Sequence, residues 1–443
     1  MIDANAALPG GTFDAVVIGA GPAGSATAIL LARAGWSVAL IEKQVFPRRK
    51  VCGECVAASN LPLLDGLGLG DLLTREAGPE LRTACLLSGN AAVAAPLPVA
   101  PHPRYGWGRA LARETLDPQL VAQAQRAGVR VLQPCTVRDI AGAPGNWCLD
   151  LRAPGRAGTR QLAARVAIAA HGSWETLPSG RARRRRHRSA ADLFAFKANF
   201  REAALVPGCL PVLALDGGYG GMVLGEDGVA TVACCVRRDR LDALRSGAPG
   251  LRAGEIVEAW LRRECAGVAQ ALQHAQRLGP WLASGPIDPG IRVRPTDALL
   301  RVGNAAGEAH PILGEGISMA LQSAGLLVSE LIGSSSGGRP GDARWQAAVA
   351  RRYARQWRRQ FAPRLRLAAA FAHLAMHPVT AGLLMALTRR WPALLTIGAR
   401  WGGKVRCAAD AQAYRPRVDT RVDTRGDKPG APPRSAPLAA DTR

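Results

Sequence analysis

Lysine is almost missing from this chain: only five of the 57 basic residues among its 443 are lysine, so a formal charge of +23 is carried by arginine. The arginines are spread through every part of the sequence, which reads as compositional bias rather than one binding patch. The alternative use of such charge is an anionic partner, either a membrane surface or a phosphorylated or acyl substrate. Metal-ligand spacing is missing too. Cys52 and Cys55 are separated by two residues, but none of the other eight of the ten cysteines completes a tetrahedral set, so no metal site is expected. Met1 to Phe13 lacks the basic and apolar stretches of a signal peptide. A cytoplasmic, reducing setting is therefore expected, at most peripheral to the inner face of a membrane. Long apolar runs are also few. Leu367 to Thr388 carries no Asp, Glu, Lys or Arg and has the length of a bilayer span. Yet His373, His377, Pro378 and Gly382 interrupt it, and a packed helical hairpin is the expectation. A hairpin resting on a membrane surface through residues 365–400 is the alternative.

What is present is ordinary for a globular core, with 48% hydrophobic and 21% charged residues. Ala15–Ile18 is a short apolar run entering a glycine-rich turn, Ala23–Ala34 is a small-residue helix, and Ser37–Ile41 is a second apolar run. Further strands are expected at Val129–Leu132 and Arg165–Ala170, with a helix at Pro118–Arg126 between. Alternation at Leu213–Leu215 and Val229–Val236 points to an antiparallel sheet. A second glycine-rich turn and long helix follow at 301–332, then the linker Ser334–Gly338 and a basic helix over 342–366. After about residue 411 the composition is that of a disordered tail.

Gly19-Ala20-Gly21-Pro22-Ala23-Gly24 fits G-x-G-x-x-G after a strand and at the opening of a helix, and Glu42 closes the next strand 18 residues past Gly24. Gly19 permits the tight turn, Gly21 lets backbone approach a pyrophosphate, and Gly24 lets the helix lie close to the sheet. Pro22 and Ala23 open the helix whose N-terminal N–H groups would face the phosphates. Glu42, with Lys43 beside it, is placed for the adenosine ribose. The pattern fits NAD as well as FAD.

Arg301-Val302-Gly303-Asn304-Ala305-Ala306-Gly307-Glu308-Ala309-His310-Pro311-Ile312-Leu313-Gly314-Glu315-Gly316-Ile317 resembles the second FAD motif of the p-hydroxybenzoate hydroxylase-like flavoproteins, nearest the geranylgeranyl reductase and flavin monooxygenase branch. The resemblance implies FAD, held by Gly303 and Asn304 at the ribityl and pyrophosphate. The turn Gly314, Gly316, Ile317 would aim a helix N-terminus at the flavin. Asn304 departs from the family's usual Asp. Phe46–Glu54, Arg109–Asp117 and Ala169–Ser173 resemble three more family segments, which would put Cys52 and Arg113 near the cofactor. His171 replaces the typical Asp of the third segment, which weakens the expectation of ordinary NAD(P)H use as transient electron donor.

The implied fold is α/β: a discontinuous Rossmann-like FAD-binding domain (1–80, 101–180, 289–335), an antiparallel-sheet substrate domain (81–100, 181–288), a C-terminal helical region (340–410) and a tail (411–443). The implied function is an FAD-dependent oxidoreductase. A monooxygenase acting with molecular oxygen on an apolar aromatic or polyketide-like molecule is the first reading, and a C=C reductase of an isoprenoid or lipid is the alternative. Tyr219 keeps one residue of the prenyl reductases' Tyr-x-Trp-x-Phe-Pro motif, whose other members are lost, and the flavin halogenases' Trp-x-Trp-x-Ile-Pro signature is absent. His310, Tyr219 and Cys52 are the candidate catalytic residues. Gly217–Gly221 has the wrong spacing for a second dinucleotide site. Arg181–Arg188 could bind nucleic acid electrostatically, but without interleaved aromatics it reads as a solvated loop, and no nucleic-acid partner is expected.

Overall fold

The computed structural model describes residues 11–155, 158–173, 177, 188–333 and 339–405. The linker at Ser334–Gly338, most of Arg181–Arg188 and the tail lie outside the described residues.

In chain order the larger elements are β1 (Thr12–Ile18), α1 (Pro22–Arg33), β2 (Val38–Ile41), β3 (Thr83–Ser88), β4 (Ala91–Pro96), α2 (Arg113–Arg126), β5 (Arg130–Leu132), β6 (Thr136–Ala143), β7 (Asn146–Arg152) and β8 (Arg160–Ala169). Then come β9 (Leu193–Arg201), β10 (Cys209–Leu215), β11 (Gly218–Leu224), β12 (Ala230–Arg237), α3 (Arg238–Ser246), α4 (Ala253–Glu264), β13 (Gln276–Arg277), β14 (Leu282–Ile287) and β15 (Leu300–Arg301). The last four helices are α5 (Gly316–Gly333), α6 (Ala343–Ala375), α7 (Pro378–Arg390) and α8 (Ala393–Trp401).

One sheet has the order β5-β2-β1-β8-β7-β6, with β15 also on β8. Its centre is parallel, β1 pairing with both β2 and β8. That arrangement buries β2 completely and explains why Val38–Ile41 reads as an unbroken apolar run. Pro22 at the first turn and the small residues Ala23, Gly24, Ala26 and Ala28 let α1 press onto this sheet, with α2 and α5 packed against it. The second sheet runs β13-β9-β12-β11-β10-β3-β4, with β14 also on β9. It is antiparallel except where β10 pairs parallel with β3. That one parallel pair is the difference from the expected sheet, and it arises because β3 and β4 come from far upstream.

α6 buries Val349, Tyr353, Trp357, Phe361, Leu365, Ala368, Ala372 and Ala375, a stripe at steps of three and four. The first five join the core of the FAD-side sheet, and the last two join a cluster with Tyr219 and Met385. The charge-free stretch at 367–388 is not one straight span: α6 and α7 bend by 106° at the break before Pro378. Among the described residues the one single helix long and apolar enough to cross a membrane is α5, and it is mostly buried inside the protein.

Candidate functional site

A cavity of about 900 Å³ runs between the two sheets. Its first wall is the loop between β1 and α1. Gly19 has φ +106°, and a Cβ there would meet the Ala170 carbonyl at 2.6 Å. A Cβ on Gly24 would lie 1.8 Å from the Gly19 oxygen, so this position admits only hydrogen. Gly21, by contrast, faces the cavity, where a Cβ would meet only the Arg113 guanidinium, at 3.6 Å. α1 has no side-chain cap and no acidic residue in its first turn, which leaves its terminal N–H groups for an anionic ligand. Glu42 is buried at the end of β2, accepting from the Ala20 N–H at 2.9 Å and the Gln44 N–H at 2.8 Å, while Lys43 sits exposed at the mouth. An uncapped helix terminus, a glycine cradle and a terminal carboxylate fit a dinucleotide's pyrophosphate and ribose.

The second glycine turn closes the far end. Gly314, in the left-handed conformation at φ +63°, precedes Gly316, the first residue of α5; both line the cavity with Ile317. Gly303 is not on the cavity; it lets the 3-10 turn Gly303–Ala305 pack on α1, where a Cβ would meet that of Ala23 at 2.7 Å. Asn304 does line the cavity and donates to Ser173 Oγ at 2.8 Å, which donates in turn to Glu308 Oε1 at 2.7 Å. Arg292 holds the other Glu308 oxygen at 3.1 Å. Glu315, inside the turn, is wholly buried, with Arg364 of α6 at 3.8 Å and Lys404 at 4.0 Å. Burial raises its pKa, and the two cations pull it back. Lys404 lines the same cavity, and its carbonyl accepts from the Ser59 N–H, so the end of the helical region is tied to the FAD side.

Between the two walls lies a buried polar knot. Glu54 adopts φ +56°, a conformation costly for a side-chain-bearing residue. Its carboxylate takes Lys197 Nζ at 2.5 Å, Thr231 Oγ1 at 2.8 Å and the Arg113 N–H at 2.9 Å. Lys197 (β9) and Thr231 (β12) belong to the second sheet, so this carboxylate pins one sheet to the other's loops. Arg113 itself is paired to Asp117 through two bonds, at 2.6 and 2.7 Å.

The opposite wall is apolar: Ala195, Phe196, Val212, Val223, Leu282 and Ile287 line it. Tyr219 and Ser284 are its polar side chains. The Tyr219 Oη lies 3.3 Å from His310 Nδ1, across 91 residues of sequence. Burial, with Cys235 next, pushes the Tyr219 phenol well above its usual range, whereas burial and then His373 push His310 down to about 4. We assign Tyr219 as donor, since it keeps its proton and His310 is neutral at pH 7. Tyr219 lines the cavity and His310 sits behind it. Cys52 lines the cavity too, but burial pushes its thiol up, which keeps the sulfur protonated and weakly nucleophilic.

The cavity thus gathers Gly19, Gly21, Pro22, Ala23, Glu42, Lys43, Cys52, Arg113, Tyr219, Asn304, Gly314, Gly316 and Ile317. Gly24, Gly303 and His310 support it from behind. The sequence reading assigned no role to Glu54, Lys197, Ser173, Glu308 or Lys404. Lys197 alone carried a visible signal, a single charge within the apolar run Leu193–Phe200.

Comparison with known proteins gives the same picture. A family model described as an FAD binding domain matches residues 12–189. Conditioned medium factor receptor 1 of Dictyostelium discoideum is 27% identical over 341 residues, 72% of this chain and 63% of that protein. A menaquinone reductase of Mycobacterium tuberculosis is 38% identical over 119 residues, 27% of this chain and 28% of that one. The chain therefore spans less than two thirds of the length of these curated relatives. The myxobacterial chondrochloren halogenase CndH superposes with a TM-score of 0.67 at 20% identity, covering 91% of this chain and 95% of that one. The domain match, the shared fold and the glycine cradle agree: residues 12–189 are similar to an FAD binding domain, and the chain has the fold of the FAD-dependent halogenases.

Proposed function

We propose that this chain is an FAD-dependent monooxygenase that hydroxylates an apolar, phenol-bearing small molecule, with NAD(P)H as transient electron donor and molecular oxygen as co-substrate. The observation that carries the reading is the Tyr219–His310 pair set into a mostly apolar wall across from the dinucleotide cradle. Bound FAD supplies the redox chemistry. The residues do the rest. With its own proton given to His310 Nδ1, Tyr219 Oη turns lone pairs to the cavity, where it accepts from a substrate hydroxyl and orients the ring. Phe196, Val212, Val223 and Ile287 exclude water around that ring, which suppresses unproductive loss of reducing equivalents. Glu54 and Glu308 are fully engaged by cations and hydroxyls, so neither competes with Tyr219 for the substrate.

The competing reading is a C=C or quinone reductase. The stretch similar to a menaquinone reductase and the proton that Tyr219 retains both favour it. Labelled oxygen separates the two. An alkylphenol turned over with NAD(P)H under ¹⁸O₂ should yield a product carrying one labelled oxygen. Anaerobic formation of a double-bond-reduced product, with no labelled hydroxylation in air, would replace the monooxygenase by the reductase.

A further inference from the structure

The outer side of the C-terminal helices is apolar and uncovered. On α7, Ala381, Met385 and Thr388 are buried, whereas Val379, Leu383 and Leu387 are 76, 60 and 46% exposed. Steps of four place these three along one stripe, opposite the buried residues on a 3.6-residue helix. On α8, Leu394, Ile397 and Trp401 repeat the pattern at steps of three and four, and Trp391 stands exposed between the helices. Leu374, near the end of α6, adds to it. Most of the exposed large hydrophobic side chains among the described residues are in this one region. Scattered exposure of this kind is normal in a soluble surface, but a contiguous set on adjacent helices marks a contact face.

Charge says what the contact is with. From Ala343 to Ala409 the sequence holds no Asp or Glu, although the chain has 34. Arg366, Arg389, Arg390 and Arg400 flank the apolar stripes, all four exposed. Arginine can lay its stem along an apolar surface while its guanidinium meets phosphate. Tryptophan is the residue that favours the interface between hydrocarbon and headgroups. Two short helices with apolar outer stripes, tryptophans at their ends and only positive charges in their own stretch of sequence suit an anionic bilayer surface.

We infer that α7 and α8 dock this protein on the surface of an anionic phospholipid membrane, lying in the interface without crossing it. The inner side of the same helices gives the contact a use. Met376, Ala381, Met385 and the partly buried Leu384 and Leu395 pack in one cluster with Tyr219, Val212, Ile287 and Ile312, which line the cavity. The helices are thus a single layer between cavity wall and membrane, fitted to a substrate drawn from lipid. That use rests on the proposed apolar substrate; the docking itself does not.

The test is co-flotation of the full-length, flavin-loaded protein with vesicles of phosphatidylcholine alone, or mixed with phosphatidylglycerol, at low and high salt. Binding is expected on the anionic vesicles and to weaken with salt. L383D with L387D should lower the bound fraction at least about tenfold, with flavin content unchanged because both side chains are exposed. W391F with W401F should keep binding but lose most of the quenching of tryptophan emission by brominated lipid. Three results would overturn the inference. The first is no flotation with anionic vesicles. The second is flotation that L383D with L387D leaves intact, which would assign the attraction to the dispersed arginines. The third is a stable dimer that L383D with L387D dissociates, which would assign the face to a second copy. Flotation reads no turnover, so its failure leaves the proposed reaction standing, and failure of the oxygen-labelling test leaves the docking face standing.

Discussion

The two walls of the cavity are built by opposite means. The FAD-side wall is made of backbone: the uncapped start of α1, the Gly19–Gly24 contact and the turn at Gly314–Gly316. The opposite wall is made of side chains, most of which could be another apolar residue of similar volume, around the Tyr219–His310 couple. Backbone recognition demands glycine at fixed spacing, so the first wall tolerates little exchange. Side-chain recognition tolerates exchange, so the second is where relatives with halogenase, reductase and receptor names can part. The Glu54 knot is the joint between them, and breaking it should give the largest effect. K197M leaves the Glu54 carboxylate buried and short of its cation, which costs about 3–5 kcal/mol. Thermal unfolding should show this, and K197M with E54Q should recover much of the loss. Full additivity of the two would mean that the walls are not coupled through this pair.

A change confined to the first wall separates it from the second. G24V would force a Cβ into the Gly19 carbonyl, where 1.8 Å leaves no room. Overpacking of this kind costs about 3 kcal/mol, and flavin retention should fall about a hundredfold or more while the far-UV circular dichroism stays unchanged. Flavin retained at the wild-type level would break the assignment of this loop to the cofactor.

The same contrast explains what the sequence disclosed. Gly19, Gly21, Gly24 and Glu42 were legible because nothing else fits where the backbone approaches a phosphate or another carbonyl. The helix at 113–126 was only half legible: its start was expected at Pro118, a residue favoured in a first turn, but α2 begins at Arg113, where the Arg113–Asp117 pair lies one turn apart. Glu54 gave no signal because its three partners come from residues 113, 197 and 231 and are close only in the fold. Tyr219 and His310 could each be suspected, but their pairing across two sheets could not.

The second wall has its own pH signature. His310 is depressed to about 4 in the folded protein, against 6.5 when free of burial. As pH falls from about 6.5 towards 4, the unfolded chain takes up a proton that the folded chain refuses, so stability is whole above this window and is lost within it. The loss amounts to about 3 kcal/mol and levels off below pH 4. H310Q should flatten that part of the profile in denaturant titrations at several pH values. A profile unchanged by H310Q would mean that the ring is solvated and does not hold the Tyr219 proton.

Asn304 sharpens the comparison with the smallest change, because it is where the backbone-built wall departs from the family's aspartate. The hydrogen bonds here have a direction: Asn304 Nδ2 donates to Ser173 Oγ, and Ser173 donates its only proton to Glu308. An aspartate cannot donate. It would compete with Glu308 for the Ser173 hydroxyl and add negative charge beside a carboxylate that Arg292 compensates. N304D should therefore weaken flavin retention by about 1 kcal/mol, roughly fivefold, instead of improving it. E308Q, which removes the competing charge, should make N304D neutral or favourable. If N304D alone tightens flavin binding, Ser173 is not tied to Glu308 in the loaded protein, and the asparagine is no adaptation to it. If it weakens binding and E308Q rescues it, the amide is the residue this chain's own network requires.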